Sequence, residues 1–238
     1  MIAYTVFLGT FLYLIAFVGD LPFAPRTVDV GPEGPVGAAI GINVGLIALF
    51  GLQHSVMARP GFKRWWTQFV PPPAERSVYV LAASLMLIML FLAWRPISGS
   101  VWDFTGTAFE LPMWLLFGAG WMIVLTSTFL INHFELFGLQ QAWFNLRGRM
   151  AAEPQLRQPL FYRWVAHPLY SGFFLAFWAT PQMSYGHLLL AGGMSAFMLI
   201  AIQLEERDLI DFFGDAYRQY RSGVGMLFPR LGGRAENR

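Results

Sequence analysis

Apolar residues in this chain gather in six runs, at residues 3–18, 36–57, 78–94, 112–131, 168–180 and 185–204. A helix needs about 20 apolar residues, within a range of about 17–25, to cross the hydrocarbon core of a bilayer. The second, third, fourth and sixth runs reach that length, and the first reaches it with its flanks. The fifth is short and stops at Pro181, so it reads as a tilted or re-entrant segment forming a hairpin with the sixth through "PQMSYG". Beyond the sixth run, Leu209, Phe212, Phe213, Ala216, Tyr217 and Tyr220 recur at helical spacing, with Arg218 and Arg221 off that face. This spacing predicts an amphipathic helix, divided at Gly214, that rests on lipid headgroups or closes over a site as a lid. The pattern predicts an all-α fold: a polytopic transmembrane helix bundle of five spanning helices plus one short or re-entrant helix, with a cytoplasmic amphipathic C-terminal helix.

Composition agrees with that pattern. The chain is 56% hydrophobic and only 13% charged, against about 45–50% and about 25% in soluble domains. The net charge of +2 is small and scattered, which argues against nucleic-acid binding. Absence of cysteine excludes disulfides, thiolate metal sites and a cysteine nucleophile. The first run has no basic residues before it and no small-x-small cleavage site after it, so it reads as a retained helix. No linker divides the chain, and one integral-membrane domain over residues 1–238 is expected. Gly37, Gly41 and Gly45 form a small-residue stripe on the second run, expected to let another helix pack closely.

Charge gives the chain an orientation. Residues 20–35 carry Asp20, Asp29 and Glu33 against Arg26, and residues 95–111 carry Asp103 and Glu110 against Arg95. Residues 58–76 carry Arg59, Lys63, Arg64 and Arg76 against Glu75, and residues 132–167 carry Arg147, Arg149, Arg157 and Arg163 against Glu135 and Glu153. The positive-inside rule places the two basic loops, and with them both termini, in the cytoplasm.

Ionisable residues beside apolar spans are costly and mark function by default. Four clusters qualify: Gln53, His54, Ser55 and Arg59; Glu75 and Arg76; Asn132, His133, Glu135, Gln140, Gln141 and Trp143; and "RWVAHPLYSGFF", followed one run later by Glu205 and Glu206. Each has a plain reading as a capped helix, a snorkelling arginine or a carboxylate at a helix N-terminus. All four nevertheless fall on the expected cytoplasmic side. In the fourth, Pro168 suits the first turn of a helix, His167 is placed as a cap or a ligand, Tyr170 follows about one turn on, and Gly172 permits close approach.

"AHPLYSGFFLAFW" followed by "EERDLIDFFGDAYRQY" resembles the C-terminal signature of the isoprenylcysteine carboxyl methyltransferase superfamily, integral-membrane enzymes that use S-adenosylmethionine. The matching residues are His167, Pro168, Tyr170, Gly172, Glu205, Glu206, Phe213, Gly214, Tyr217 and Tyr220. Ala166 stands where that signature often has arginine, and Arg163, one turn earlier, is the candidate to supply the charge. "GLQHSVMARPGFKRWW", "ERSVYVLAASL" and "STFLINHFELFGLQQ" extend the likeness to the bacterial methanethiol S-methyltransferases, which make dimethyl sulfide from methanethiol.

The resemblance implies an enzyme of the bacterial inner membrane, in contact with lipid and acting on a small volatile thiol. It implies that residues 160–225 bind S-adenosylmethionine through His167, Pro168, Tyr170, Gly172, Glu205, Glu206, Tyr217 and Tyr220. A thiol attacks as its thiolate, which calls for a base or a cation. His133 or His54 is the expected base, Arg76 the electrostatic support and Glu135 a further candidate, with Trp143, Phe134, Phe137 and Trp178 as an aromatic cage. Two alternatives stand beside this one. One is methylation of a lipid-linked acceptor, a prenyl-cysteine carboxylate or a phospholipid amine. The other is a non-catalytic haem protein ligated through His54, His133 or His167.

Overall fold

A computed structural model of the chain describes residues 1–149, 156 and 158–230; Glu153 and Arg157, counted above among the loop charges, lie outside them. The apolar runs fold as helices: α1 (Ile2–Val18), α2 (Val36–Ala58), α4 (Pro72–Ala93), α5 (Glu110–Ile131), α8 (Pro168–Trp178) and α9 (Tyr185–Phe213). Short helices α3 (Pro60–Trp66), α6 (His133–Leu136) and α7 (Leu139–Leu146) fill the two basic loops, and α10 (Asp215–Gly223) follows α9. Proline opens α3, α4 and α8, where its missing N–H costs no hydrogen bond. Gly214, with φ +59° and ψ −131°, parts α9 from α10 as the sequence predicts.

Four helices, α2, α4, α5 and α9, are long and apolar enough to cross a membrane, and α1 is a shorter apolar helix. Leu85, Leu92, Leu115, Met122 and Phe129 point outward from the bundle. Such an apolar surface suits a lipid solvent. The interior is aromatic and aliphatic, with Phe17, Leu90, Trp94, Phe177 and Ala191 buried where α1, α4, α8 and α9 meet.

The closest helix pair is α5 with α8. A side chain on Gly120 would stand 2.6 Å from the Ala176 nitrogen, and one on Gly172 would stand 2.7 Å from the Gly120 oxygen and 2.8 Å from the Val124 nitrogen. Here backbone touches backbone. The stripe on α2 behaves otherwise. Gly37, Gly41 and Gly45 have nothing within 4 Å of where a side chain would start, so the packing expected of them is not made among the described residues. Gly51 does that work on α2, and Phe197 of α9 lies 2.9 Å from its open side.

The helix ends form two distinct poles. At one, the strands β1 (Ser100–Asp103) and β2 (Gln182–Ser184) pair antiparallel, with Asp103 opposite Gln182. This small sheet departs from a wholly helical expectation. Trp94 Nε1 donates to the Val28 carbonyl (3.0 Å) and Ser184 bonds to Asp29, tying the acidic loop to the same pole. The basic loops, α10 and both ends of the described chain lie at the other pole.

Helix α8 leads from that second pole toward β2. Its 11 residues span only about 16 Å. The remaining depth is made up by a 3-10 turn at Leu160–Arg163 and an extended stretch whose backbone is satisfied by the chain's own tail. Ala166 N–H donates to Gly225 O (2.8 Å), His167 N–H to Met226 O (3.1 Å) and Gly225 N–H to Trp164 O (3.0 Å). The Ser171 hydroxyl donates to Leu227 O (2.6 Å). Irregular backbone at this depth is tolerated because protein covers it.

Candidate active site

Helix α9 has 29 residues and is about 43 Å long, more than the roughly 30 Å of a hydrocarbon core. Its last turns therefore project past the bundle and carry Glu205, Glu206 and Asp208 toward the start of α8. The Tyr170 hydroxyl donates to Glu205 Oε2 at 3.0 Å. His167 Nε2 lies 3.1 Å from Glu206 Oε1, and Arg221 Nε donates to that same oxygen at 2.5 Å. Arg59 pairs with Asp208 at 2.9 Å and donates to Leu204 O at 3.1 Å, joining the α2–α3 corner to the end of α9. The histidine and the carboxylate pair thus meet at one pole.

Helix α10 closes over this group. The Tyr220 hydroxyl donates to Tyr162 O at 2.8 Å. Tyr217 is 2% exposed, and its buried hydroxyl has no partner among the described residues. Burial, then the charges of Glu206 and Glu205, push the Tyr217 phenol well above its ordinary range, and burial pushes Tyr220 up to about 12. Both therefore stand as protonated donors. These contacts tie α10 to the start of α8 and to the end of α9.

Several expectations need correction. His167 precedes α8 but its side chain caps nothing; the ring turns to Glu206 instead. Pro168 is buried at the first turn of α8, as expected. Gly172 opens toward α5, so its place here is in helix packing. Arg163 is exposed, and the cation beside Glu206 is Arg221, which sequence reading set aside as lying off the apolar face. Its signal was present, since Arg221 directly follows Tyr220 of the matched motif. Reading the tail as a lid would have turned that residue inward.

A second group adjoins the first. His54 Nε2 lies 2.8 Å from the Tyr79 hydroxyl. Phe50 stacks on the imidazole at 5.4 Å and Phe197 meets it edge-on at 5.9 Å. His54 Nδ1 is buried and unpartnered among the described residues. Arg76 donates from Nε to Leu136 O (2.7 Å), and its guanidinium carbon sits 5.1 Å from the centroid of the Tyr79 ring. Tyr79 lies within electrostatic reach of Arg76, Glu205 and Arg59, which links the two groups. Nothing in the sequence pattern singled out Tyr79.

His133 is held differently. Its Nδ1 bonds to the Thr128 hydroxyl (2.9 Å), its Nε2 to the Tyr4 hydroxyl (2.8 Å), and Phe129 stacks on it at 4.3 Å. Burial lowers its pKa. Glu135 is exposed and accepts from the Asn132 amide (2.9 Å). The expected aromatic cage is not assembled. Phe137 is buried beside Tyr79. Phe134 and Trp143 are exposed. Trp178 sits at the far end of α8, donating to Ser195. The rings around His54 are Phe50, Phe197 and Tyr79. Each of the three histidines considered for haem already bonds to its own partners: Tyr79; Thr128 and Tyr4; and Glu206.

No family model matches the chain. No solved structure matches it either. Methanethiol S-methyltransferase of Mycobacterium tuberculosis is 52% identical over 227 residues, covering 95% of this chain and 93% of that protein. Methanethiol S-methyltransferase 1 of Bradyrhizobium diazoefficiens is 51% identical, covering 95% of this chain and 79% of its own length. Nurim of Danio rerio is more distant, at 26% identity over 74% of this chain and 66% of that protein. The two methyltransferases match over nearly the whole chain, including the helices that carry both polar groups, so this chain belongs to the methanethiol S-methyltransferase family.

Proposed function

We propose that this protein transfers a methyl group from S-adenosylmethionine to methanethiol, releasing dimethyl sulfide. Family membership supports the reaction, and one structural observation supports its place: the His167–Glu206–Arg221 and Tyr170–Glu205 contacts lie beside the His54–Tyr79–Arg76 group at a single pole. The donor set suits S-adenosylmethionine. Carboxylates accept from ribose hydroxyls and an amino group, aromatic rings pack on adenine, and the Tyr217 hydroxyl, without a partner among the described residues, is open to one. Glu205, Glu206, Tyr170 and Tyr217 would hold it. His167 and Arg221 orient Glu206, while Pro168 and Tyr220 fix the start of α8 and the lid.

S-adenosylmethionine supplies a methyl carbon on a sulfonium, with a neutral thioether as leaving group. The chain's own work is then alignment and exclusion of water, and alignment alone contributes several kcal/mol. His54 and Arg76 are assigned to the acceptor. His133, with both nitrogens occupied, is a buried post between α1 and α5, and Glu135 stands outside the site. We place the protein in the bacterial inner membrane, with α1 and α8 completing six crossings and both termini cytoplasmic. Its 238 residues form one domain, within which residues 160–225 hold the donor.

The test is transfer of labelled methyl by the purified full-length protein. Methanethiol, a prenyl-cysteine and phosphatidylethanolamine are offered separately, and dimethyl sulfide is measured in the headspace. Label in dimethyl sulfide, matching methanethiol consumed, is expected. Label only in a lipid acceptor overturns the assignment.

A further inference from the structure

His54 Nδ1 is buried without a partner among the described residues, while Nε2 is bonded to the Tyr79 hydroxyl. That hydroxyl has no second partner among the described residues. Two tautomers are open to the imidazole. If Nε2 carried the proton, it would donate to the Tyr79 oxygen, and both the phenolic O–H and the Nδ1 lone pair would be left unmet. If Tyr79 donates to Nε2, the proton sits on Nδ1 and a single N–H is left unmet. Buried polar groups are almost always bonded, so the second arrangement, with one orphan, is preferred. The orphan is then a donor. Arg76 makes no ion pair among the described residues, and its guanidinium lies over the ring of Tyr79, the residue that bonds His54.

We infer that Tyr79 sets the tautomer of His54 so that Nδ1–H, with the Arg76 charge beside it, binds the thiolate sulfur of the acceptor; His54 is a donor to the nucleophile, not its base. This inference rests on the proposed methyl transfer and specifies how the thiol is held. The thiol gives its proton to water on binding. The thiolate lone pair then forms the new sulfur–carbon bond as the old one breaks, and that bonding pair stays on the departing sulfur. Anion and cation give two neutral products, so His54 ends the cycle with the proton it began with. Tyr79 touches no reacting atom and is a positioning residue.

The two amide replacements of His54 separate the roles. Asparagine places an N–H near the position of Nδ1, glutamine near Nε2, and neither is a base. With melting temperature confirming the fold of each, His54→Gln is expected to lose about 10²–10³-fold in turnover, as when a single oxyanion donor is removed. His54→Asn is expected to remain at least about tenfold faster than His54→Gln. Equal losses in the two overturn the donor role. Tyr79→Phe is expected to lower kcat in the wild-type background and to add little to His54→Asn, because it acts through the imidazole; equal effects in both backgrounds make Tyr79 merely structural and overturn its part. The wild-type protein needs no variant: its kcat/KM for methanethiol should keep rising through pH 7–8 as thiolate accumulates, whereas a plateau there marks a histidine base and overturns the inference. Calorimetry of S-adenosylmethionine on His54→Gln should show affinity within about twofold of wild type; a loss matching the loss in turnover assigns the missing anion to the donor's carboxylate and overturns the inference. A wild-type protein that forms no dimethyl sulfide refutes the proposed function itself, a result distinct from all of these.

Discussion

At the scale of single residues, Glu206 is the most connected group of the site, sharing one oxygen between a histidine from the start of α8 and an arginine from the lid. Removing either partner leaves a part-buried carboxylate short of compensation, which is costlier than the pair was favourable. His167→Ala and Arg221→Ala should therefore each weaken S-adenosylmethionine binding at least about tenfold, or about 1.4 kcal/mol, by calorimetry. Unchanged affinity in both would remove Glu206 from the donor pocket. His133 gives a second test. Its folded pKa is lowered by burial from the ordinary 6.5, so the unfolded chain takes up its proton first as pH falls. The stability it contributes is complete above pH 6.5 and is lost as pH falls toward the folded value. The melting temperature of wild type should drop through that window, and His133→Gln should flatten the drop. The residues themselves were largely legible: His167, Tyr170, Glu205 and Glu206 were readable because charge beside an apolar run is conspicuous. Tyr79 was not, since a buried tyrosine is ordinary until a fold gives it neighbours, and Arg221 was passed over although it directly follows the matched Tyr220.

At the scale of elements, the apolar runs located six helices, four of them long enough to cross a bilayer, although α4 starts six residues before its run and α9 ends nine residues after its own. What they missed was set by contacts distant in sequence. Helix α8 stops short because residues 164–167 pair with the tail at 225–226, some sixty residues on, and no local pattern announces that pairing. The glycine stripe of α2 was periodic and conspicuous yet has nothing within 4 Å of its open side among the described residues, whereas Gly120 and Gly172, outside any such stripe, bring α5 and α8 into backbone contact. Spacing shows that a helix face is small without showing what lies across from it. Gly172→Val should force α5 and α8 apart. Overpacking costs about 1–3 kcal/mol where side chains give way, and here the obstacles are backbone atoms that cannot. A melting temperature well below wild type is expected for Gly172→Val, with that of Gly41→Val close to wild type. If the two melt alike, α5 and α8 are not in the contact described.

At the scale of the whole molecule, the two poles differ in charge and in task. The basic loops and the site share one pole, and the acidic loop with the small sheet forms the other, a division the alternating loop charges foretold. The arrangement has a purpose only in one orientation. On the proposed reaction the donor is S-adenosylmethionine, charged and made in the cytosol, which would turn the pole carrying Glu205 and Glu206 inward, while a small apolar thiol and its product can pass through lipid from either side. A chain without cysteine lends itself to a direct test. Thr105, exposed beside β1, and Arg64, exposed on α3, mark opposite poles. In intact spheroplasts a membrane-impermeant maleimide should label Thr105→Cys, and should label Arg64→Cys only after permeabilisation. The reverse pattern would turn the site away from its donor, and the proposed reaction would then lack a source of methyl groups whatever the local geometry around His54 and Glu206.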